Sequence, residues 1–94
     1  MTAALRPGGT IGILGGGQLG RMTALAAARL GYRCHVFAPE PDSPGMQVAA
    51  AATVAPYDDG PALEAFAAAV DVVTFEFENV PATTLETLAP LVPC

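Results

Sequence analysis

Apolar residues arrive in short runs separated by glycine, proline and acidic clusters, and the runs alternate between two spacings. Residues 10–14, TIGIL, form a compact apolar run that stops at three glycines and predict a strand. From residue 19 to residue 30, Leu19, Met22, Ala26 and Leu30 recur at helical spacing, which predicts a helix with these residues along one face. Gly31 stands where a left-handed residue would cap that helix. Residues 32–37, YRCHVF, read as a second strand, ended by APEPDSPG, whose prolines forbid continuation. Ser43 and Pro44 look like the cap and first position of a short helix reaching about Ala51, and residues 53–57 predict a short outer strand. Asp58, Asp59, Gly60 and Pro61 then open a helix to about Ala69, with acid at its positive end. Residues 71–78, DVVTFEFE, give the strongest strand signal, and Pro81 begins a last helix, ATTLETL, running towards Pro90.

Strands alternating with helices at this spacing predict an α/β domain: a half-Rossmann, three-layer unit with a mostly parallel sheet and right-handed crossovers. The chain has 94 residues, so residues 1–94 are expected to form a single domain. Ligands of such sheets bind beyond the carboxyl ends of the strands. That rule singles out residues 15–20, after the first strand, and residues 74–79, at the end of the last.

Composition narrows the partners. With 52% apolar and 14% charged residues, disorder is excluded, and leftover apolar surface is expected to pack on the rest of a longer polypeptide. The net charge is −5, and the cations are Arg6, Arg21, Arg29 and Arg33, with no lysine. Neither nucleic acid nor an anionic membrane is expected as a partner, because both require a clustered basic face. The missing lysine also removes the phosphate loop of P-loop enzymes. Cys34 and Cys94 lack paired or metal-like spacing, and the first residues, MTAALRPGG, lack a signal-peptide core; a cytoplasmic location with reduced thiols is expected.

Gly15, Gly17 and Gly20 satisfy Gly-x-Gly-x-x-Gly between a predicted strand and a predicted helix. The first glycine would allow the tight turn, the second a close approach of backbone to ligand, and the third the packing of helix on strand. Free N–H groups at the helix start would then hold a phosphate without lysine. A dinucleotide site asks further for an acid at the end of the second strand, which here ends Phe37, Ala38, Pro39; Glu40 lies at about the right distance but follows a proline among turn residues. A compact phosphorylated metabolite therefore fits the turn better than a dinucleotide. In TFEFENVP, Glu76 and Glu78 fall on one side of the extended chain and Phe75 and Phe77 on the other. Glu76 is the better placed to bond a ligand hydroxyl or amine; Glu78 reads as a solvated turn residue, and Asn79 as either cap or ligand contact. His35 reads as a structural imidazole, and Asp58 and Asp59 as caps. Arg21 is open between an anion contact and a surface role.

Three stretches, GILGGGQLGRM, SPGMQVAAAATVAPYDD and DVVTFEFENVP, in this order and spacing, resemble the N-terminal pre-ATP-grasp domain of the N5-carboxyaminoimidazole ribonucleotide synthase family. The resemblance covers residues 10–88. It implies an ATP-grasp ligase that uses ATP, magnesium and bicarbonate to carboxylate 5-aminoimidazole ribonucleotide in purine biosynthesis, working as a homodimer. ATP and magnesium would be held by ATP-grasp domains that lie beyond this segment, with no cofactor in this chain. The segment alone would then be inactive. The implied substrate-binding set is Gly15, Gly16, Gly17, Gln18, Leu19 and Glu76, with no catalytic or metal residue. At Ala50 the family pattern is usually acidic, a departure that leaves one contact in doubt. Two alternatives remain at this point: an NAD- or nucleotide-binding Rossmann-type regulatory module, and a fragment of the formate-dependent glycinamide ribonucleotide transformylase. In the latter family the turn typically looks Gly-Glu-Leu-Gly, so Gln18 favours the carboxylating synthase.

Overall fold

A computed structural model describes residues 8–75 and 80–94. The first strand, β1 (Thr10–Leu14), is paired on both edges and covered on both faces, Ile13 and Leu14 lying in separate core clusters, and that double burial is why its run reads as continuously apolar rather than alternating. It pairs in parallel with β2 (Arg33–Ala38), Ile13 opposite Val36 and Leu14 opposite Phe37. On its other edge it pairs with β4 (Val72–Phe75), Ile13 opposite Thr74. The outer strand β3 (Ala51–Val54) adds to β2, giving a four-stranded, all-parallel sheet of order β3-β2-β1-β4.

Strand alternation divides the core in two. Ile13, Val36 and Cys34 pack with Ala24 and Ala27 of α1 (Gln18–Arg29) on one face. Leu14, Phe37 and Val73 pack on the other with Leu63, Phe66 and Val70, from α2 (Gly60–Ala69) and its end, and with Leu88 of α3 (Ala82–Leu88). The predicted three layers are therefore present. In the middle of β1, Gly12 lets α2 approach: a Cβ there would lie 2.6 Å from Phe66 Cζ and 3.0 Å from Val70 Cγ2.

Local chemistry sets the helix ends as expected. Gly31 has φ 88°, and the bonds Gly31 N–H to Ala28 O (3.1 Å) and Tyr32 N–H to Ala27 O (2.9 Å) complete a Schellman cap on α1. Asp59 caps α2 by accepting the Ala62 N–H at 3.0 Å, with Pro61 in the first turn. In α3, Thr84 is buried and donates its hydroxyl to Tyr57 O at 2.8 Å.

Three expectations are corrected. The face of α1 that packs is Gly20, Ala24 and Ala27, while Leu19, Met22 and Leu30 are 66%, 63% and 69% exposed. Close packing of α1 on a parallel sheet selects small residues, so the larger apolar ones were displaced to the outer side. No helix forms over residues 44–51; residues 41–50 are turns and bends. The Gly45 N–H bonds Gly16 O at 2.7 Å instead of joining a helix, and the Ala50 N–H bonds Cys34 O at 3.0 Å, drawing the chain into the sheet. As a result β3 starts at Ala51, before the predicted residues 53–57. The last strand is described only over Val72–Phe75; the predicted continuation through residues 76–78 lies outside the described residues.

His35 has the structural role expected of it. Its Nε2 shares a 2.7 Å hydrogen bond with Thr53 Oγ1, and its ring meets Phe66 edge-on at 5.1 Å. Burial pushes the imidazole below its ordinary value, so the neutral form is favoured in the folded chain. The unfolded chain therefore binds the proton more readily. This contribution to stability is complete above the unfolded value of about 6.5 and is lost as pH falls below it. The denaturant midpoint should fall between pH 7.5 and pH 5.5, and His35→Gln should flatten that decline.

Candidate substrate cleft

The turn after β1 is held open by its backbone. Gly15 has φ 109°, a region costly for any residue with a Cβ, and its N–H bonds Phe37 O at 2.9 Å. Gly16 is the close-approach residue: a Cβ there would overlap Ser43 Oγ and sit 2.7 Å from Ser43 Cβ. This tight contact at Gly16 is made with the protein's own Ser43-Pro44-Gly45 loop. Gly17 is the N-cap of α1, with φ −72° and ψ −165°. It has no side chain to cap the helix, and the first turn contains no acidic residue. The positive dipole end of α1 therefore carries no side-chain cap from its own N-cap residue, whereas α2 is closed by Asp59.

This helix start opens on a cavity of about 470 Å³ at the carboxyl ends of β1 and β2. Gly15, Gly16 and Gly17 form one wall, Ser43 and Pro44 another, and Pro39, Glu40 and Tyr57 complete it. The volume suits a mononucleotide-sized ligand. Gln18 and Leu19, in the first turn of α1, are exposed and stand outside the cavity lining. Glu76, Glu78 and Asn79 lie outside the described residues. The structure therefore brings together the three turn glycines of the expected set. It adds Glu40, Ser43 and Tyr57, which motif reading did not select. Ser-Pro-Gly directly after a proline-broken strand was the available signal for Ser43.

Arg21 donates from Nη1 to Gln47 Oε1 at 3.2 Å, and Gln47 Nε2 donates to Asp42 O at 3.3 Å. The guanidinium thus ties the 39–47 loop to α1. Asp42 adopts φ 54°, turning the loop back towards the glycines. The Ser43 hydroxyl is buried without a hydrogen-bond partner. Cys34 and Cys94 are free thiols, Cys34 buried and its thiol raised above the ordinary value by burial. Among the described residues no helix is long and apolar enough to cross a membrane, and no three His, Cys, Asp or Glu side chains are grouped to hold a metal ion.

Comparison with known proteins extends the geometry. Residues 9–94 match the family model described as the ribonucleotide synthetase preATP-grasp domain. The chain is 56% identical over 86 residues to an N5-carboxyaminoimidazole ribonucleotide synthase of Brucella melitensis, covering 92% of this chain and 24% of that protein. A crystal structure of an ADP complex of N5-carboxyaminoimidazole ribonucleotide synthetase superposes with a TM-score of 0.93 at 49% identity, covering 99% of this chain and 25% of the other. The Aspergillus clavatus synthase, solved with ADP and 5-aminoimidazole ribonucleotide, superposes at 0.79 with 35% identity, covering 93% and 23%. The chain thus spans about a quarter of the length of the relatives it matches. With the fold, the glycine turn and these similarities in agreement, the chain belongs to the ribonucleotide synthetase pre-ATP-grasp family.

Proposed function

We propose that this chain is the substrate-side domain of an N5-carboxyaminoimidazole ribonucleotide synthase, a cytoplasmic ligase that spends ATP to carboxylate 5-aminoimidazole ribonucleotide with bicarbonate in purine biosynthesis. The observation that carries the reading is the uncapped, glycine-rich start of α1 opening into a mononucleotide-sized cavity, in a chain whose relatives carry that activity in their names. In this reading the N–H groups of Gly17, Gln18 and Leu19 hold the substrate's anionic end, the Gln18 side chain contacts it from the rim, and Glu76 reaches its ribose or aminoimidazole. ATP and Mg²⁺ are assigned to the part of the protein beyond this segment. A homodimer is the expected assembly.

The test is ADP formation by the full-length protein in the presence of bicarbonate. Turnover should depend on added 5-aminoimidazole ribonucleotide. Equal turnover with glycinamide ribonucleotide and formate would move the chain to the transformylase, and saturable NADH binding without ATP turnover would make it a regulatory Rossmann module.

A further inference from the structure

We propose that Glu40 is a specificity-determining residue of the cleft, its carboxylate accepting hydrogen bonds from the ribose hydroxyls of the bound ribonucleotide. The proposal rests on the reading of the cleft as a ribonucleotide site. From sequence, a glutamate behind Pro39 looked badly placed for this work. In the structure, Leu14 is level with Phe37 in the parallel register, and the Gly15 N–H reaches back to Phe37 O. The chain segments leaving β1 and β2 therefore emerge side by side, and Glu40 lines the same cavity as Gly15, Gly16 and Gly17.

Three features hold Glu40 there before any ligand arrives. Prolines on both sides, Pro39 and Pro41, confine its backbone to extended conformations. The loop that follows is fixed to the glycine turn by the Gly45 N–H to Gly16 O bond and to α1 through Arg21, Gln47 and Asp42 O. Ser43 packs against Gly16 so closely that no side chain would fit between them. With its backbone fixed in this way, Glu40 has only its side-chain rotors left to order on binding.

Charge then selects the ligand. The start of α1 attracts an anion, while Glu40 in the same cavity repels one. A bare phosphate would meet both effects. A ligand with phosphate at one end and a diol at the other satisfies both, because an ionised carboxylate is an acceptor only and the diol supplies two donors.

Binding of 5-aminoimidazole ribonucleotide and of its 2′-deoxy counterpart to the full-length protein, measured by titration calorimetry, tests this. The wild type should prefer the ribonucleotide by roughly 10- to 100-fold, the value of a charge-assisted hydrogen bond. Glu40 is exposed, so Glu40→Gln should keep the native circular dichroism. Its affinity for the ribonucleotide should fall further than its affinity for the deoxy ligand, which keeps only the 3′-hydroxyl, so that most of the preference is lost. A preference unchanged in Glu40→Gln would overturn the role of Glu40 and leave the cleft reading standing. Failure of the wild-type protein to bind either ligand would overturn the cleft reading, and this inference with it.

Discussion

Gly12→Val should destabilise the domain by about 3 kcal/mol or more, lowering the thermal midpoint by roughly 12–24 °C for a chain of this size. The reason is geometric. Even the first carbon of a side chain would stand 2.6 Å from Phe66 Cζ, well inside van der Waals contact, and the valine methyls would extend into the same ring and into Val70. Phe66 has little room to retreat: it is 1% exposed, tilted against Phe37 at 5.3 Å and edge-on to His35 at 5.1 Å. The clash must therefore lift α2 from the sheet or force off-rotamer side chains. Gly12→Ala should do the same more mildly, and combining it with Phe66→Leu should restore part of the loss. Both effects are read by circular dichroism melts. If Gly12→Val melts with the wild type, α2 does not rest on β1 as described.

Gly17→Val should cost the fold about 1 kcal/mol, because valine is a poorer N-cap than glycine, and weaken 5-aminoimidazole ribonucleotide binding by about 100-fold. At φ −72° the backbone of Gly17 is open to any residue, and no side-chain cap bond is lost, so the folding cost stays below the binding cost. Binding has much at stake. Gly17 lines the cavity at the N-cap of α1, and a branched side chain there stands between a phosphate and the helix N–H groups. Losing one or two charge-assisted hydrogen bonds at roughly 1.5–3 kcal/mol each accounts for that magnitude. Calorimetric titration of the full-length variant measures it, and unchanged affinity would remove the helix start from the site. Gly16 is unsuited to the same experiment, because any side chain there collides with Ser43 and mixes folding with binding.

The contrast between these glycines shows what the sequence carried. Strand β1, the Gly31 cap and the Asp59 cap were legible because each depends on chemistry within a few residues, and the parallel sheet because strands and helices alternate along the chain. The 41–54 segment was not: its alanines and Ser-Pro start favour a helix locally, and the bond from Gly45 to Gly16, distant in sequence, overrides them. The packed side of α1 was misread for a related reason. Hydrophobic spacing reports where large residues lie, and the sheet accepted only Gly20, Ala24 and Ala27. In the cleft, the motif located Gly15, Gly16 and Gly17, but Glu40 became visible only when strand register placed the end of β2 beside them.

The position of β4 sets the order in which this domain can be built. Ile11 pairs with Cys34 across one helix, but its other partner, Val72, comes from beyond three further elements. During synthesis β1, α1 and β2 can assemble early from near neighbours, while β1 keeps one open edge until Val72–Phe75 emerges. The reciprocal bonds between Thr10 and Asp71, each 2.8 Å, then close the ladder at its amino end. The β1–β4 amides should be the last to gain protection in pulse-labelled hydrogen exchange, and a ribosome stalled before residue 75 should present an unfinished sheet to chaperones.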